Sequence, residues 1–148
     1  MKYALLSALL FSSTSFGASL PWNAYECKSM ARAYDTTTNT PGATDEQTAV
    51  AGYVDLSNTG IVYFTHKIVG EVITTGIQIG VGSYPSSGKN FSDAMYFHFE
   101  PGSKFKSITD ARFEAYEASL PESFLLGLRP FKLSGNTWID LSVECHKL

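Results

Sequence analysis

The sequence predicts an all-β protein: a single antiparallel domain of seven or eight strands, with a barrel favoured over a two-sheet sandwich. Three observations carry that expectation. Turn signals recur at the intervals of an all-β domain, at Asn39-Thr-Pro-Gly42, Ser57-Asn-Thr-Gly60, Pro85-Ser-Ser-Gly88, Pro101-Gly102, Pro121 and Ser134-Gly-Asn136. Between them lie runs rich in Val, Ile, Thr, Tyr and Phe, which fit a pleated, half-buried surface. Several of these runs alternate with period two, the spacing of side chains on a strand.

Residues 1–17 read as a secretory signal peptide. Lys2 supplies a positive start, Leu5, Leu6, Leu9, Leu10 and Phe11 a short apolar run, and Ser15 and Gly17 the small residues that cleavage requires. The run is too short for a membrane anchor, which needs about 20 apolar residues. Cys27 follows Glu26 and lies too deep for a lipid-attachment site. Residues 18–148 are then a single β domain, secreted or periplasmic.

The domain opens with a strand over 24–34, in which Tyr25, Cys27, Ser29, Ala31 and Ala33 share one parity and the charges take the other. Residues 35–48 are polar, have no apolar period and read as a mobile loop. Residues 49–56 and 61–68 resemble a hairpin through Ser57–Gly60. Residues 71–83 alternate Ile73, Thr75, Ile77, Ile79 and Val81 against a second face bearing Gly76, Gly80 and Gly82. Glycines on one face of a strand mark a bend or a close approach, here space for a ligand inside a barrel. Residues 94–100 alternate Met95, Phe97 and Phe99 against Tyr96, His98 and Glu100. Residues 109–120 carry both helical and strand features, and strand is preferred. Residues 123–133 alternate around Phe124, Leu126 and Leu128. The last strand has Ile139, Leu141, Val143 and Cys145 on one parity.

Both cysteines therefore fall on inward faces of the terminal strands. In an exported chain this predicts a Cys27–Cys145 disulfide and places the two strands side by side. The lean toward a barrel comes from that juxtaposition and from the glycine face.

Composition narrows the function classes. The chain has 148 residues, which suits one domain. Only 17% are charged and 14% are aromatic, the reverse of a disordered chain. A net charge of −3 lacks the basic footprint of a nucleic-acid binder.

Motifs exclude the common chemistries. His66, His98 and His146 have no close-spaced partner, so no metal site is expected. No G-x-S-x-G elbow occurs, although a Ser-His-Asp set can assemble in space. Glu114, Glu117 and Glu122 read as a solvated face. Residues 80–90 fail the phosphate-loop pattern, with Ser83 where glycine is required and Asn90 where Ser or Thr is required. No cofactor motif is present. Gly135-Asn-Thr-Trp138 is one residue too long for the lipocalin G-x-W and lies at the wrong end. Tyr25-Glu-Cys27 resembles the start of small periplasmic lysozyme-inhibitor barrels, but the rest of that pattern is missing and nothing is carried over.

What remains is an exported β-domain that acts by binding a protein, glycan or envelope component, without catalysis. Aromatic residues off the core parity are the candidate contacts: Tyr34, Tyr96, Tyr116 and Trp138. Tyr84 and Lys89 mark a possible contact loop, and His98 shares the parity of Tyr96. The alternatives are a carrier holding a small apolar ligand inside a barrel, and a hydrolase with a spatially assembled site.

Overall fold

A computed structural model describes residues 24–38, 40–55, 61–83, 86–99, 108–117 and 120–148. The expected signal segment lies outside these residues, as do the turn signals at 57–60 and 101–102. Among the described residues the chain is all-β, with ten strands and no helix. They are β1 (Tyr25–Asp35), β2 (Thr40–Ala51), β3 (Tyr53–Asp55), β4 (Val62–Ile68), β5 (Glu71–Ser83), β6 (Asn90–Phe99), β7 (Ile108–Glu117), β8 (Ser123–Gly127), β9 (Phe131–Ser134) and β10 (Thr137–Lys147). They form two five-stranded sheets. One runs β2-β1-β10-β8 with β9 also beside β10, and the other runs β3-β5-β6-β7 with β4 also beside β5. All pairings are antiparallel except β3 with β5.

The expected meeting of the terminal strands is present. β1 and β10 pair along their whole length, and Cys27 lies directly opposite Cys145 with the two bridged. A bridge over 118 residues constrains the unfolded chain strongly, worth about 4–5 kcal/mol in the chain-entropy model. Such a bond fits an oxidising compartment, extracellular or periplasmic. Among the described residues no helix is long and apolar enough to cross a membrane.

Period-two alternation decides what fills the space between the sheets. Tyr25, Cys27, Ser29, Ala31 and Ala33 of β1 are buried, as are Ile139, Leu141, Val143 and Cys145 of β10. Ile73, Ile77 and Ile79 of β5 meet them from the other sheet, with Phe64 of β4 and Tyr96 of β6. The glycine-bearing parity of β5 is turned the other way. Gly76 lies opposite Phe97 on the outer face, and a Cβ there would come within 2.6 Å of the Phe97 ring. The glycine thus makes room for an aromatic side chain outside the core, not for a ligand within it. Phe99 packs edge-on against Phe97 at 5.0 Å and Tyr63 against Phe99 at 5.5 Å, which covers this side of β6.

Several expectations are corrected. Residues 40–48 belong to β2 and are not loop. The strand is exposed along much of its length, so it carries no apolar period, and its backbone bonds to β1 define it. The hairpin between 49–56 and 61–68 does not form. β4 pairs with residues 71–77 of β5, and β3 takes the remainder of the same edge at 79–81. The 13-residue β5 outruns the seven-residue β4 and leaves that edge open to β3. The run over 123–133 is split into β8 and β9, because Pro130 between them has no N–H for a ladder. Residues 108–117 are strand, as preferred.

Side chains join the two sheets where backbone ladders stop. Asp45 of β2 accepts from the Lys67 backbone N–H at 3.3 Å and from His66 Nδ1 at 3.0 Å, both on β4. Asp110 of β7 accepts from the Arg129 N–H at 2.9 Å, just beyond β8. A carboxylate thus serves as the acceptor at each junction.

Candidate functional site

Four strands contribute to a polar cluster in the core. Ser29 of β1, His66 of β4, Thr75 of β5 and Tyr96 of β6 all sit on inward parities, and all four are buried. Ser29 Oγ lies 2.8 Å from His66 Nε2, 2.9 Å from the Tyr96 hydroxyl and 3.4 Å from Thr75 Oγ1. His66 Nδ1 faces the Asp45 carboxylate at 3.0 Å. The ionised carboxylate can only accept, so Nδ1 carries the proton and Nε2 accepts from the Ser29 hydroxyl.

Burial pushes the His66 ring below the ordinary histidine value, and the Asp45 charge and hydrogen bond only partly offset it. Burial also opposes ionisation of Asp45, but hydrogen bonds from Gln47, His66 and Lys67 outweigh it and hold that carboxyl below its ordinary value. Tyr96 is pushed up, chiefly by burial.

These are the distances of a nucleophile, a base and an orienting acid. Ser29 and His66 are nevertheless 0% exposed. The serine hydroxyl has one donor and two acceptor positions, and His66, Tyr96 and Thr75 occupy them. The arrangement is that of a saturated polar core. Its sequence signal was a polar residue on each apolar parity: Ser29 among alanines, Thr75 among isoleucines, and His66 after Phe64.

The surface brings two expected contact residues together. Tyr34 and Trp138 are opposite partners on β1 and β10, both half-buried on the outer face. Arg32 and Asp140 form the next outward pair. Tyr34 and Pro41 each line two clefts. One, of 290 Å³, is lined by Arg32, Tyr34, Pro41 and Asp140. The other, of 250 Å³, runs from Ala33 and Tyr34 past Pro41 to Val69 at the tip of the β4–β5 hairpin. Val69 is 51% exposed and holds φ at 51°, a left-handed backbone that β-branched residues avoid.

Two other expected contacts lie in the interior. Tyr96 and His98 are buried, because both faces of β6 are covered and its outward parity belongs to Phe97 and Phe99. His98 stacks on Phe131, with ring centroids 4.5 Å apart. His66 and His98 lie on strands that flank opposite edges of β5, so they do not meet. Lys89 is exposed beside the start of β6, at the end away from His98. Tyr84 and the side chain of Tyr116 lie outside the described residues. Among the described residues, no three His, Cys, Asp or Glu side chains are grouped to hold a metal ion. No protein-family model, curated protein or solved structure matches this chain.

Proposed function

We propose that this is an exported binding domain without catalytic activity, which takes a protein, glycan or envelope component on the outer face around Tyr34 and Trp138. The supporting observation is the cross-strand pairing of these two aromatics, with Tyr34 lining two clefts. Paired rings offer large contact area at low cost in side-chain entropy. The strained, exposed Val69 at the rim of the same groove adds weight, since such strain collects at functional sites. We read the two sheets as one barrel interrupted at two junctions, where Asp45 and Asp110 stand in for missing ladders. A carrier function inside that barrel loses its main support, because the glycine face of β5 points outward.

The test is site-specific photo-cross-linking in cells that make the protein. A photoreactive residue at Tyr34 is expected to give one discrete adduct that Trp138→Ala abolishes. The same residue at Leu125, 66% exposed at the far end of that sheet, is expected to give none. Equal adducts from both positions, or none from Tyr34, would remove this face from the account.

Hydrolysis has one observation in its favour, the Ser29–His66–Asp45 geometry. A fluorophosphonate probe at neutral pH is expected to leave the protein unlabelled. Stoichiometric labelling at Ser29 would replace binding with acyl transfer.

A further inference from the structure

Another cleft opens where β7 passes the end of β8, at the same end of the molecule as the Tyr34–Trp138 pair. It has a volume of 340 Å³ and is lined by His98, Asp110, Arg129, Pro130 and Phe131. This is the size of a small-molecule site, and barrel mouths are a common place for one. The His98 imidazole lies flat on Phe131, with 11° between the ring planes. Burial holds His98 below the ordinary histidine value, outweighing the Asp110 charge, so at pH 7 the ring is neutral. Pro130 and the Phe131 ring supply apolar walls.

The two charged residues differ in commitment. Asp110 Oδ2 accepts from the Arg129 N–H at 2.9 Å and Oδ1 from the Ala111 N–H at 3.0 Å. The Arg129 guanidinium is exposed and makes no hydrogen bond or ion pair among the described residues. A planar fork of donors beside an apolar wall matches a carboxylate attached to an apolar body. The fixed Asp110 charge opposes a second negative charge nearby, and neutral His98 adds no cation to offset it.

We propose that this cleft binds a small amphipathic monocarboxylate, with its carboxylate on the Arg129 guanidinium and its apolar body against Pro130 and Phe131. The site is independent of the Tyr34–Trp138 surface.

Calorimetric titration of the whole protein with octanoate and 3-phenylpropanoate tests it, with octanol and 3-phenylpropanol as uncharged counterparts. At least one acid is expected to bind saturably at one site, about tenfold or more tighter than its alcohol. Arg129→Gln is expected to weaken the acid about tenfold to a hundredfold, since it removes a charge-assisted hydrogen bond and leaves the backbone link to Asp110 in place. Octanedioate is expected to bind more weakly than octanoate, and Tyr34→Ala to leave octanoate affinity unchanged. The proposal is overturned if neither acid binds saturably up to its solubility limit, if the alcohols bind as tightly, or if Arg129→Gln has no effect.

Discussion

Ser29→Ala probes whether the core cluster is structural. The substitution removes one oxygen and three hydrogen bonds. His66 Nε2 loses its buried partner at 2.8 Å, and an orphaned buried acceptor costs about 1–3 kcal/mol. Tyr96 loses its 2.9 Å contact but keeps the Ser142 carbonyl at 3.4 Å, so its share is smaller, about 0.5–1 kcal/mol. The expected total is about 1.5–4 kcal/mol. For a domain of this size each kcal/mol lowers Tm by about 3–5 °C, giving a drop of roughly 5–20 °C. Urea denaturation followed by tryptophan fluorescence supplies the free energy, and calorimetry the Tm. A double-mutant cycle with Tyr96→Phe should show coupling of about 0.5–3 kcal/mol. A loss below about 0.5 kcal/mol, or no coupling, would refute the closed-network account, because unsatisfied buried groups cannot be that cheap.

Three further outcomes are expected. His66 and His98 are both held low by burial, so the folded state prefers neutral rings. Their contribution is complete above about pH 6.5, the unfolded value, and is lost as pH falls through the folded-state values, so Tm should fall from about pH 7 to 5.5. A flat or rising Tm over that range, measured by scanning calorimetry, would contradict this. At the β4–β5 tip, Val69 and Gly70 have φ of 51° and 75°, a turn that favours Asn-Gly. Val69→Asn should stabilise by about 1 kcal/mol in urea titration, and destabilisation would show that the valine packs productively. The Ser92 hydroxyl is buried with no hydrogen-bond partner among the described residues, so Ser92→Ala should be neutral or stabilising by up to about 1 kcal/mol. A Tm decrease would expose a partner for it.

Local alternation made much of the fold legible. Inward parities on β1 and β10 placed Cys27 and Cys145 on facing strands, and the Ile73–Ile79 parity of β5 is the buried one. The failures arose where tertiary context decides. β2 is defined by its backbone pairing to β1, and its exposed side chains left no period to read. β6 is covered on both faces, so no parity marks a surface, and Tyr96 and His98, which the sequence reads as off the core parity, are buried. The pairing of β3 and β4 with one edge of β5 depends on strand lengths that turn residues do not encode. The Tyr34–Trp138 pair was half legible. Each residue stood off the core parity, but their meeting depends on the β1–β10 register. Ser29 and His66 were each legible as a polar residue on an apolar parity, but their meeting with Asp45 was not, since the three come from three strands and only folding brings them together.

The central claim is that the outer face around Tyr34 and Trp138 carries the contact with a partner. The most direct measurement is the affinity of the partner recovered from the Tyr34 cross-link for three single variants. Tyr34→Ala and Trp138→Ala are each expected to weaken binding about 30-fold or more, as contact hot spots do. Leu125→Ala, at the opposite end of the same sheet, is expected to bind like the unaltered protein. The account is contradicted if both aromatic variants bind normally, or if Leu125→Ala is the one that weakens binding.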